Sequence, residues 1–137
     1  MIIAICSSMA FAQQMINIKK QLESNGHDVH ISDFVLDFLG KSEKEKQELN
    51  KKNVLEKDAI REFWNKIQKC DAILVLNYDR KGIKNYIGGN TLMEIGFAHV
   101  LHKKIFLLHD VPEIPFYKSE IEGVKPTILH DDISKIK

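Results

Sequence analysis

Two stretches of this chain are apolar without interruption and about as long as a β-strand, Met1–Cys6 (MIIAIC) and Ala72–Leu76 (AILVL), and a third run, Lys104–His109 (KIFLLH), is apolar between its ends. A strand with one wet face alternates apolar and polar residues, so an unbroken run belongs to a strand covered on both faces. Sheets covered on both faces are built from parallel strands joined by crossover helices, and that requirement narrows the fold more than any other feature here.

The segments between the runs fit crossover helices. Phe11–Glu23 carries Phe11, Met15, Ile18 and Leu22 at spacings of four, three and four, and Asn25–Gly26 supplies a stop. A shorter strand, Asp28–Ile31, follows that stop. Ser42–Lys69 is dense in charge, opens on a capping box (Ser42 with Glu45), and repeats Leu55, Ala59, Phe63 and Ile67 at helical spacing. Its charges read as a solvated face, and Trp64 is expected to pack on the sheet. Thr91–Leu101 is the last clear helix, and Pro126–Leu129 a short fifth strand. The order predicts an α/β fold: a single flavodoxin-like, Rossmann-like three-layer domain over residues 1–137 with a five-stranded parallel sheet.

Length and composition agree with one domain. At 137 residues the chain buries enough surface to stand without disulfides or metal. A net charge of +1 gives no electrostatic case for a nucleic-acid polymer or a membrane surface as partner. Cys6 and Cys70 form no CxxC pair and fit a reducing compartment. The N-terminus lacks a basic region before its apolar run, so a cytoplasmic protein is expected. Six histidines occur without HExxH or CxxC, so neither a metal nor another cofactor is expected.

Ligands of doubly wound sheets bind beyond the carboxyl ends of the strands, which selects three segments. Cys6-Ser7-Ser8-Met9 follows the first strand, and its hydroxyls with free backbone amides suit a phosphate or a sugar hydroxyl; helix capping by Ser7 or Ser8 competes equally. After the third strand come Asn77 and Asp79, nearest the strand tip, and Tyr78 or Tyr86 as surfaces for a base; Arg80, Lys81 and Lys84 read as solvated. The same loop ends in Gly88-Gly89-Asn90 before the helix that carries Glu94. Thr91 with Glu94 matches a capping box, yet the glycines allow close approach of a ligand and the turn lies where such folds bind. The segment Asp110–Glu120, after the fourth strand, is the third candidate. Other chemistries of this architecture fail on particular residues. A phosphatase loop needs arginine where Ala12 stands, a phosphoacceptor site needs acids at the end of the first strand, and no flavin-phosphate loop, Walker loop or GxGxxG occurs.

From Cys70 to Leu108, CDAILVLNYD…GGNTLMEIGFAHVLHKKIFLL resembles the nucleoside 2-deoxyribosyltransferase-like proteins, which include 2′-deoxynucleoside 5′-phosphate N-hydrolases. Glu94-Ile-Gly-Phe-Ala98, Lys104-Ile-Phe and the N-terminal CSSM stand in the family's order. The resemblance implies that Glu94 is a nucleophile attacking the anomeric carbon of a nucleoside or nucleotide, forming a glycosyl-enzyme that a second base or water resolves. It further implies that Ser7 and Ser8 hold the 5′ end, favouring hydrolysis of monophosphates, with no cofactor. It also implies a homodimer or larger assembly, in which Tyr117–Gly123 lies near a cross-subunit contribution. Two positions depart from the pattern: Gly88 and Phe63 stand where the family often carries aspartates, with Asp79 or Glu62 as substitutes. That departure supports a rival, a catalytically idle nucleotide sensor; a plain interaction domain is a weaker third.

Overall fold

A computed structural model describes residues 1–137. Five strands, β1 (Ile2–Cys6), β2 (Asp28–His30), β3 (Ala72–Val75), β4 (Lys104–Leu107) and β5 (Thr127–Ile128), form one sheet in the order β2-β1-β3-β4-β5. Every pairing is parallel, as the unbroken apolar runs require. Alternate residues serve opposite faces. Ile3, Ile5, Leu74 and Phe106 join a cluster with Ala12, Met15 and Leu22 of helix α1 (Ala12–Ser24). Ala4, Cys6, Ile73, Val75 and Leu107 join the other, beneath helices α3 (Ala59–Gln68), α4 (Gly89–Val100) and α5 (Lys118–Gly123). The result is the expected three-layer flavodoxin-like arrangement.

The charged stretch between β2 and β3 departs from the expectation of one continuous helix. Helix α2 (Glu43–Glu56) opens on the anticipated capping box, with both Ser42–Glu45 bonds formed. It ends at Lys57, and Asp58 turns the chain through a left-handed conformation (φ 49°) before capping α3 through Arg61 N. The break takes Leu55 off the shared face, and it stands 72% exposed while Phe63 and Ile67 are buried. Trp64 likewise misses the sheet; its ring meets Phe97 of α4 edge-on, centroids 5.1 Å apart. No helix is long and apolar enough to cross a membrane.

Candidate active site

The strand order reverses between β1 and β3, so the loops that leave them diverge and open a crevice at their carboxyl ends. A cavity of about 370 Å³ fills it. Four walls enclose it: Ser7–Ala10 after β1; Lys46, Gln47, Asn50 and Lys51 of α2; Ala59, Ile60 and Phe63 of α3; and the loop after β3, from Arg80 and Tyr86 to Gly88–Thr91. Glu94 lies on the wall one turn into α4.

Helix α4 begins two residues earlier than its sequence pattern implies, with Gly88 as N-cap, so Thr91 is not a cap and Glu94 is not the partner of a capping box. Ile95 and Ala98 anchor the helix to the sheet, and Thr91 and Glu94 turn on its shoulder toward the cavity. Cys6 lies close to Glu94, buried at the end of β1. Burial pushes the Glu94 carboxyl up to about 8; the neighbouring Cys6 thiol opposes the rise and the charge of Glu62 adds to it. Burial thus favours the protonated form of this carboxyl in the free protein near neutral pH. Burial also drives the Cys6 thiol well above its ordinary value, with the neighbouring Glu94 charge reinforcing the effect.

The structure brings Ser7, Ser8, Gly88, Gly89 and Asn90 to the same cavity as Glu94. Ser7 spends its hydroxyl proton on the Leu76 carbonyl, 3.0 Å away. Ser8 accepts from Ala10 N at 3.3 Å, which leaves its own proton free for a ligand. Gly88 has a structural reason of its own. Its backbone is extended (φ −89°), but a Cβ there would stand 2.8 Å from the Tyr86 hydroxyl. The phenol fills the room that a side chain at 88 would take. Around Gly89 the space is open.

Asn77 and Asp79 are not on the cavity wall. Asn77 is fully buried and ties β3 to the end of β4: its amide donates to the carbonyls of His109 and Asp110, both at 3.0 Å, and accepts from His109 N at 2.9 Å. Asp79 accepts from Asn85 N at 2.9 Å and so pins the turn that presents Arg80 and Lys81. Glu62, the other substitute acid, is held by the Ser32 hydroxyl and Asp33 N, with Lys66 Nζ at 3.5 Å. Tyr78 packs on Phe11 and His109, away from the cavity. The segment after β4 contributes no wall residue; Tyr117 braces the loop instead, donating to the Ile87 carbonyl.

What the sequence reading missed is the cationic side. Arg80 and Lys81, taken there as solvated, line the cavity, as do Lys46 and Lys51. Arg80 is ion-paired with Glu43 of α2, and its guanidinium lies over the Tyr86 ring, 5.3 Å from the centroid. Glu94 is the sole acid among the wall residues.

No protein-family model matches this chain, and no curated protein does. Among solved structures, the CMP N-glycosidase BcmB of Clostridium botulinum superposes with a TM-score of 0.52 at 17% identity, over 93% of this chain and 85% of that one. The 2-deoxyribosyltransferase of Bacillus psychrosaccharolyticus gives a TM-score of 0.45 at 19% identity, over 78% of this chain and 71% of that one. At such identities the likeness to BcmB is one of fold.

Proposed function

We propose that this protein is an N-glycosidase acting on nucleosides or nucleoside 5′-monophosphates, with Glu94 as nucleophile. The observation that carries the reading is the position of Glu94: a carboxyl on the wall of a sugar-sized polar cavity, at the switch point of the sheet, free of any duty to its own helix start. The fold shared with a CMP N-glycosidase supports it, as do the sequence motifs around Glu94. In the reaction, the ionised carboxylate bonds to the anomeric carbon as the C–N bond breaks, and the base leaves with the bonding electron pair and takes a proton from solvent. Water then attacks the anomeric carbon of the glycosyl ester, returning the carboxylate, releasing the sugar with its new hydroxyl and giving its other proton to solvent. Ser8 and the Gly88–Asn90 turn suit the sugar and its 5′ substituent. Hydrolysis rather than transfer fits the cationic wall, and the protein is read as a cytoplasmic homodimer or larger assembly.

Incubation with each deoxynucleoside, ribonucleoside and monophosphate, followed by chromatography of the free base, tests the proposal. Glu94→Ala is expected to lower the rate at least about a thousandfold, as removal of other nucleophiles does. Equal base release by the two proteins across the panel would defeat it. The rival reading, an idle nucleotide sensor, draws on the burial that favours the protonated form of Glu94 and on the lack of a second acid on the wall. It predicts thermal stabilisation by nucleotides without base release at any pH.

A further inference from the structure

Four cations, Lys46, Lys51, Arg80 and Lys81, share the cavity wall with a single carboxyl. They are confined to two facing walls, α2 and the loop after β3, and one ion pair spans the gap between these walls: Glu43, in the first turn of α2, holds Arg80 Nη2. The pair uses only part of the guanidinium. Arg80 Nε is buried and has no acceptor. Nε and Nη2 together form the side-on edge of arginine that receives two oxygens of a phosphate at once. Here one half of that edge meets a carboxylate oxygen and the other half meets nothing. Stacking on Tyr86 fixes the plane of the guanidinium, and Lys46 is held at the opposite wall through its bond to the Ala10 carbonyl, 3.1 Å. The serine turn, by contrast, has given up the Ser7 proton to Leu76.

We propose that Arg80, flanked by Lys46, Lys51 and Lys81, heads a phosphate subsite of the Glu94 cavity, and that a nucleotide's phosphate displaces Glu43 from its guanidinium. The ligand class is therefore the phosphorylated nucleoside, preferred over the free nucleoside. Glu43 acts as the stand-in anion that neutralises Arg80 until the ligand arrives. The proposal rests on the cavity being a nucleotide site, as above, but not on catalysis.

Calorimetric titration in a Glu94→Gln background reads binding without turnover. The probes are nucleoside 5′-monophosphates, the matching nucleosides and inorganic phosphate, each at two salt concentrations. Arg80→Gln is expected to weaken the monophosphate at least about tenfold, the loss of a charge-assisted pair, and to leave the nucleoside within about twofold. Arg80→Lys should recover part of the affinity. Glu43→Gln should tighten the monophosphate severalfold, because the competing anion is gone; a bridge that merely shaped the cavity would produce the opposite sign. Measurable binding of inorganic phosphate alone, lost in Arg80→Gln, assigns recognition to the phosphate rather than the base. Equal weakening of nucleoside and nucleotide by Arg80→Gln would overturn the proposal, as would weaker nucleotide binding in Glu43→Gln or no nucleotide binding in any variant. Should Arg80→Gln fail to fold, the Glu43→Gln arm decides alone. The expected pattern without base release by the unmutated enzyme would sink the glycosidase reading and leave the subsite standing.

Discussion

Replacing Glu94 by glutamine should make the protein more stable, and the gain should grow with pH. The carboxyl has an ordinary value of 4.5, and burial in the fold raises it to about 8. Between those values the folded chain holds a proton that the unfolded chain has lost, so stability falls as pH rises. The loss begins near pH 4.5 at about 1.4 kcal/mol per pH unit. It amounts to about 3 kcal/mol at pH 7 and levels off near 5 kcal/mol above pH 8, once the folded state has ionised too. Glutamine keeps the shape and has no charge to desolvate, so the variant should lack this slope. Urea unfolding of both proteins at unit intervals from pH 5 to 9 measures it, with the difference between them read against pH. Parallel curves, or a difference that shrinks toward alkaline pH, would refute the burial argument. The same proton governs the proposed chemistry: a nucleophile must be ionised, so base release at limiting substrate should climb from pH 6 and flatten above about 8.

Other consequences are as direct. Asn77→Ala removes three buried hydrogen bonds between β3 and the end of β4; unfolding free energy should drop by about 3 kcal/mol or more, while nucleotide affinity in the folded variant changes less than about twofold. Cys6 and Cys70 are both buried, the first with its thiol held well above the ordinary range and the second pushed up to about 11. A thiol reagent at pH 8 should therefore leave the folded protein untouched and label both residues once denaturant is added. Cys6→Ala withdraws the thiol that favours the ionised form of Glu94, so the rising limb of the pH–rate profile should move to higher pH; an unmoved limb would show that the thiol does not act on the reacting group.

The frame of the fold was legible because it is written in local pattern. Runs such as Ala72–Leu76 have no polar face to offer solvent, and the helix following Cys6 has its apolar spacing and its Asn25–Gly26 stop. The break between α2 and α3 was hidden because neither glycine nor proline marks it; Asp58 takes the left-handed turn itself and caps the next helix. At the site, Glu94 and the turn before it stand out, since glycines that allow close approach of a ligand precede a carboxyl in a loop where such folds bind. Lys46 and Lys51 do not stand out. A lysine on a charged helix looks the same in sequence whether its neighbour is water or a cavity, and only the crossing of α2 over the β1 loop tells them apart. Asn77 misled for the converse reason: a polar residue at a strand tip serves a ligand or the backbone, and here the backbone claims all three of its bonds.

Tyr86 and Gly88 bear on how relatives of this chain can differ from it. With the phenol lodged against the Gly88 backbone, a side chain arriving at 88 must first evict the ring, and eviction takes the platform from under Arg80. Substitutions at 80, 86 and 88 should thus travel as a set through a lineage. Sequences that carry an acid at 88 are expected to lack the tyrosine, and the arginine's stacking with it.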